Sequence, residues 1–224
     1  MPTGAKRTAT RRLPLNRGRV LRAALEIADK GGSESLTMSN VGQKLGVESM
    51  SLYRHVRNKE DLVDGIVDIV YSEIELPPSG VSWRTSMRRR AISAREVLAR
   101  HPWAIGLMES LTRPGPANLR HHDSVLGVLR GAGFSSAAAT RAYNLLDSYI
   151  YGFALQEAHL PFGTPEELAE LGKSMIPQLS SEEFPFLRQV GIDLVQSGFV
   201  YANEFEPGID LILDGIERRV RLKS

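Results

Sequence analysis

The 224-residue chain contains no cysteine. That excludes disulfides, thiolate zinc sites and cysteine nucleophiles. It also lacks long uncharged runs. The longest stretches free of Asp, Glu, Lys and Arg are ten residues, as in 131–140. A membrane-spanning helix needs roughly 20 apolar residues, so none is expected and a cytoplasmic protein is. No internal repeat or low-complexity tract is evident beyond a short basic segment at the start. Strong net charge is missing too: 28 Lys and Arg face 26 Asp and Glu, a total of +2.

What is present begins with how that charge is distributed. Residues 1–60 hold 12 basic against 5 acidic side chains, and residues 61–224 hold 16 against 21. Lys6, Arg7, Arg11, Arg12 and Arg17 fall in the first eighteen residues, with no acid among them. A basic head on an acidic body suggests that one end meets a polyanion. A merely solubilising tail and an organelle transit peptide are the other readings. Helical patterning starts almost at once after Asn16, which argues against the transit peptide.

The dominant period is helical. Asn16 is positioned as a cap for a stripe of Val20, Ala23, Ala24, Ile27 and Ala28, which Gly31-Gly32 ends. Thr37 is positioned to cap a short helix to about Leu45, stopped at Gly46. A second short helix follows over about Glu48–His55, and a third runs from about Lys59 to Ile74 with Asn58 as its cap. Leu76-Pro77-Pro78-Ser79-Gly80 breaks the helical pattern. Beyond it the pattern predicts helices near 83–98, 116–130, 135–157 and 207–222. Residues 160–181, with three prolines, read as irregular or weakly helical. No alternating strand pattern appears. The expected fold is all-α: a basic arm over 1–15, a three-helix helix-turn-helix domain over 16–75 and a helical domain over 76–224.

Residues 36–67 carry the functional signal. Val41, Leu45, Val47, Leu52 and Val56 are spaced to form a small core between two helices. Gly42 permits close crossing, and Gly46 permits the positive φ of a tight turn. The second helix then offers Ser49, Ser51, Tyr53, Arg54 and His55, a polar and aromatic surface free of acid after Glu48. Such a helix suits the major groove. A plain helical hairpin with a solvated face would show similar spacing, but the basic arm favours DNA.

The run LGVESMSLYRHVRNKEDLV closely resembles the DNA-binding domain of TetR-family transcriptional repressors. Tyr53, His55, Asn58, Lys59 and Leu62 stand in the expected places. FEPGIDLILDGIERRV, HPWAIGLM and GPANLRHHDSVLGVLRGAGFS are similar to segments of that family's C-terminal domain. The resemblance implies a homodimer on a palindromic double-stranded operator, released by a small-molecule effector bound in the body, with no membrane partner. It implies that Thr37, Tyr53, His55 and Lys59 hold phosphates, that Ser49, Met50, Ser51 and Arg54 face bases, and that Ser39 also lies at the DNA. Tetracycline repressors carry an arginine where this chain has Ser39, so their operator preference does not transfer. Dimerisation would use the segments 135–157 and 207–222 through Leu146, Ile150, Ile209, Ile212, Leu213 and Ile216. The effector would meet Trp103, Met108, Leu111, Asn118, His122, Leu126, Tyr143, Asp147 and Tyr151, a set of apolar walls with a few polar groups. Asp147 and Tyr151, four residues apart, can instead bond to each other.

Two alternatives stay open at this level. One is a DNA-binding regulator without a small ligand, acting as an activator or controlled by a protein. The other is a helical metal-dependent hydrolase using His122 and Asp123. Adjacent helical residues point about 100° apart and rarely share one ion, so no metal and no cofactor are expected. Tetracycline-type relatives hold magnesium through a histidine, but the surroundings of His121 do not match theirs. Arg88-Arg89-Arg90 reads as a solvated helix face.

Overall fold

A computed structural model describes residues 14–78, 80–108, 110–111 and 113–221. Most of the expected basic arm, with Lys6, Arg7, Arg11 and Arg12, therefore lies outside the described residues. Among the described residues there are eleven α-helices and no strands. No helix is long and apolar enough to cross a membrane. The chain divides into two compact units, residues 1–66 and 67–224.

The first unit contains α1 (Arg17–Gly31), α2 (Met38–Leu45), α3 (Ser49–Leu52) and the start of α4 (Lys59–Glu73). Asn16 caps α1 by accepting from the Arg19 amide, and Gly32 ends it at φ 73°. Val20, Ala23, Ala24 and Ala28 bury the inner stripe of α1 against Leu36, Val41, Leu52, Val56, Leu62 and Ile66. Leu45 and Val47 are only half-buried. Asn58 caps α4, its side chain accepting from the Asp61 amide at 2.8 Å.

In the second unit, α4 continues to Glu73 and is followed by α5 (Trp83–Arg100), α6 (Ile105–Met108), α7 (Pro116–Gly131), α8 (Ser136–His159), α9 (Pro165–Met175), α10 (Pro185–Ser197) and α11 (Phe205–Arg221). Helices α5, α7, α8 and α11 pack on one another. Arg84 and Arg88 of α5 pair with Asp210 of α11, and Arg84 also reaches Asp214 at 2.7 Å. Beside this ladder, Phe153 of α8 lies 5.0 Å edge-on to Phe205 of α11.

Three expectations need correction. Residues 165–175 form a regular helix, because Pro165 opens it at the first turn and Thr164 with Glu167 makes a reciprocal capping box. Helix α10 was not anticipated at all. It packs on α9 and the following turn, and leaves Phe186 84% exposed, so its apolar residues form no stripe buried in this chain. The second helix of the helix-turn-helix is shorter than 48–55: α3 ends at Leu52, and residues 53–55 form turns.

Candidate nucleic-acid interface and buried polar cluster

The head is built around one tight turn. The side chain of Thr37 accepts from the Asn40 amide and starts α2. Gly46 ends it in the left-handed region, at φ 66° and ψ 38°. A Cβ on Gly42 would lie 2.8 Å from the Val47 carbonyl oxygen, so the two helices can approach this closely only with glycine there. The turn then delivers α3 with Leu52 buried and its other side outward.

The expected DNA-facing residues differ in exposure. Met50 is 75% exposed, and Tyr53, Arg54, Thr37, Ser39 and Lys59 are exposed. Ser49, Ser51 and His55 are half-buried. Arg54 and Lys59 make no ion pair among the described residues, so both charges are available to a phosphate. Arg17 is different. Counted with the basic arm, it instead donates to both oxygens of Asp61, at 3.0 and 3.1 Å, and to the His55 carbonyl. Arg57 donates to the same carboxylate through its backbone and side chain. Asp61 thus ties the start of α1 to the start of α4. The Arg17 hydrogen bonds outweigh burial, and with those of Arg57 hold the Asp61 carboxyl well below the usual carboxylate range.

The body contains a cluster that sequence reading identified only in part. Arg90 is 1% exposed, not on a solvated face. It occupies the inward stripe of α5 with Met87, Ala91, Ala94, Val97 and Leu98, and that spacing was its available signal. Its guanidinium forms an ion pair with Asp147 of α8 and donates through Nε to His121 Nε2 at 3.0 Å. Burial opposes the charge on Arg90, but Asp147 overcomes it and raises the guanidinium pKa. His121, not His122, is the inward histidine of α7, spaced with Asn118, Val125 and Leu129. Burial, then Arg90, lowers its pKa to about 3, so it is neutral at physiological pH.

The other expected body residues differ in burial. Asn118, Tyr143, Asp147, Tyr151 and Met108 are buried; His122, Leu126, Trp103 and Leu111 are half-buried. Tyr151 reaches Asp147 at 3.5 Å, a long contact, and its hydroxyl lies 3.4 Å from that of Tyr71 on α4. His122 turns Nδ1 to the Asn118 carbonyl of its own helix. Its ring lies 4.9 Å from Tyr143 and 6.0 Å from Tyr71. Asp68 of α4 lies nearby in the chain and acts as a cap for α7. Its Oδ1 accepts from the Ala117 and Asn118 amides, both at 2.9 Å. Gly115 leaves room for that carboxylate, which a Cβ would meet at 2.3 Å.

The histidine doublet does not fit a metal ion. The Arg90 cation occupies His121 Nε2, and no group of three His, Asp, Glu or Cys among the described residues could hold one. The residues named for dimerisation lie mostly inside the subunit. Leu146, Ile150, Ile209 and Leu213 are fully buried in the subunit's own core, and Ile216 nearly so. Ile212 alone of that set stays half-exposed. The outward faces of α8 and α11 carry Leu145, Leu155 and Leu211 instead, Leu211 at 73% exposure. An apolar stripe on a helix marks the side turned to its own core before any side turned to a partner.

Comparison with known proteins gives this arrangement its class. The family described as "Bacterial regulatory proteins, tetR family" matches residues 20–66, and "Tetracyclin repressor-like, C-terminal domain" matches residues 76–220. The chain belongs to the TetR family of DNA-binding transcriptional regulators. It is 30% identical to the HTH-type transcriptional repressor DrrR1 of Streptomyces coeruleorubidus, over 96% of this chain and 82% of that one. It is 28% identical to the class C tetracycline repressor protein of Escherichia coli, over 91% of each. The crystal structure of ActR from Streptomyces coelicolor in complex with actinorhodin superposes with a TM-score of 0.76 at 26% identity, covering 92% of this chain and 98% of ActR.

Two outcomes test this geometry. Asp61→Asn should destabilise the protein by about 1–2 kcal/mol at pH 7 in urea unfolding, a figure held down by the exposure of Arg17 and Arg57. Because the Asp61 pKa is depressed, its stabilisation is present above the unfolded value near ~4 and lost as pH falls through the folded one. The variant should therefore lack that part of the acid-induced loss. In the body, Asp147→Ala strands a buried guanidinium and should cost about 3–5 kcal/mol. The double change Arg90→Leu with Asp147→Leu should recover most of that loss in the same unfolding assay.

Proposed function

We propose that this protein is a dimeric, ligand-responsive transcriptional repressor of the cytoplasm, binding a palindromic operator. The observation that carries the proposal is the course of α4. It starts at Lys59, beside the exposed α3 surface, and ends in the body with Asp68 capping α7 and Tyr71 against the polar cluster. A ligand that prefers one arrangement of that cluster biases α4, and with it the helix-turn-helix. ActR in complex with actinorhodin supports a small molecule as the effector in this family.

On the DNA, Thr37, Tyr53, His55 and Lys59 hold phosphates, while Ser49, Met50, Ser51 and Arg54 meet base edges and Ser39 lies beside them. The test is fluorescence anisotropy with DNA from upstream of the protein's own gene and with random DNA. Lys59→Ala should weaken both equally, whereas Arg54→Ala should weaken the operator by about 1–3 kcal/mol more than random DNA. Equal losses for Arg54→Ala would make it a phosphate contact. Absence of binding to any DNA would end the reading.

The second copy sits on the outward faces of α8 and α11. A groove of about 890 Å³ there is lined by Ala138, Arg141, Leu145, Ile212, Gly215 and Arg219. Small residues allow helices to approach closely, and the exposed leucines supply apolar area. Leu145→Glu with Leu211→Glu should give a monomer by light scattering and lower operator affinity at least about tenfold, since one half-site then binds alone. A variant that stays dimeric would relocate the interface.

A further inference from the structure

The head contains more positive charge than it offers to a ligand. Residues 14–66 hold eight Lys and Arg against seven Asp and Glu. Lys44 is paired with Glu26 at 2.7 Å. Arg17 and Arg57 both end on one carboxylate, that of Asp61. Its Oδ2 accepts from Arg17 Nη1 at 3.0 Å and from the Arg57 amide at 2.9 Å. Its Oδ1 accepts from Arg17 Nη2 and from Arg57 Nη2, each at 3.1 Å. Asp61 itself is 8% exposed, and its amide is fixed by the Asn58 side chain.

The two arginines that this carboxylate holds are at the surface. The Arg17 side chain is 44% exposed and that of Arg57 63%. Arg57 stands midway between His55 and Lys59, and Arg17 Nη1 also donates to the His55 carbonyl at 3.1 Å. Both cations thus lie beside residues read above as phosphate contacts. A guanidinium fork fits a phosphate as well as a carboxylate, so Asp61 and DNA compete for the same donors. The site on Asp61 is already built. A Cβ on Gly65 would lie 2.6 Å from Leu21 and 3.3 Å from Arg17 Nη2, so the Arg17 guanidinium is set in the seam between α1 and α4. The depressed pKa of Asp61 keeps its carboxylate charged at physiological pH.

We propose that Asp61 limits the DNA affinity of the head by withholding the Arg17 and Arg57 guanidiniums from phosphate. The inference rests on the reading of α3 and its flanks as the DNA-binding surface. It adds a positioning residue that touches no DNA yet sets how strongly the head binds. Phosphate contacts carry no sequence information, so withholding two of them weakens binding to all DNA alike and leaves base readout to α3. Weaker binding to random DNA leaves more of the protein free to find its operator.

The test is the slope of log affinity against log salt concentration, which counts phosphate contacts at about 0.9 for each. It is measured on the full-length protein by fluorescence anisotropy, with a random duplex and with DNA from upstream of the protein's own gene. Asp61→Asn should steepen the slope by about 1–2 and tighten binding to the random duplex about eightfold or more at ~0.1 M salt. Binding to the upstream DNA should tighten by a similar factor. Arg17→Gln and Arg57→Gln should each leave the wild-type slope unchanged, and each should remove part of the gain when added to Asp61→Asn. An ion pair that only fastened α1 to α4 would make Asp61→Asn less stable without steepening the slope, and that result would overturn the proposal. A slope shallower by about 0.9 in either arginine variant would overturn it too, because that arginine would already hold a phosphate. If Asp61→Asn fails to fold by circular dichroism, the two arginine variants decide, measured beside Lys59→Ala, which should lose about 0.9. Wild-type binding with an unchanged slope in Asp61→Asn would overturn the limiter while leaving the DNA-binding reading standing. A wild-type protein that binds neither DNA would end both.

Discussion

The body is organised by a charge that cannot reach water. Arg90 extends from the inner stripe of α5 into the space between α7 and α8, where Asp147 and His121 receive it. Every group near it is constrained by that placement. Asp147 must supply the counter-charge, so α8 is held in register with α5. His121 must accept, so α7 presents a neutral ring with a fixed tautomer. Tyr143 and Tyr151 are driven toward their protonated forms by burial and by Asp147, which makes both of them permanent hydroxyl donors. Such an arrangement is a costly way to stabilise a core.

The head works on a different principle. Its geometry comes from backbone: a capped start at Thr37, a left-handed stop at Gly46 and a bare Cα at Gly42. Its electrostatics are local. Asp61 absorbs Arg17 and Arg57, so the net positive charge of the N-terminal region overstates what faces outward from the described head. Arg54 and Lys59 lie on the exposed surface beside α3. The near-neutral total of the chain conceals both this partition and the internal pairing within the basic part.

Features set by neighbours in the chain were legible from sequence. Caps, stops and the short helical turn at Thr37, Gly46 and Asn58 depend on residues within a few positions, and the structure has them where local chemistry puts them. Features set by distant partners were not. Arg90 reads as a surface residue until its stripe is traced, because a triplet of arginines suggests solvent. His121 and His122 differ by one position and by about 100° of helix rotation, and only packing selects between them. Leu146, Ile150, Ile209 and Leu213 form the apolar stripes that a partner would seem to want, yet the subunit uses them itself. Helix α10 escaped because none of its apolar residues is fully buried in this chain, and Phe186, Leu187 and Val190 stay exposed.

The cap that Asp68 provides for α7 bears on how such regulators can be recombined. Helix α7 begins at Gly115-Pro116 with no side-chain cap of its own, and its first amides are satisfied by a carboxylate from α4. The proline-rich break at residues 76–80 looks like the natural place to exchange one head for another. A chimera joined there would import a foreign residue at position 68, leaving α7 uncapped and Tyr71 replaced within the cluster. The seam that preserves the body lies earlier, near residue 66, so that the last two turns of α4 travel with the unit they help to build.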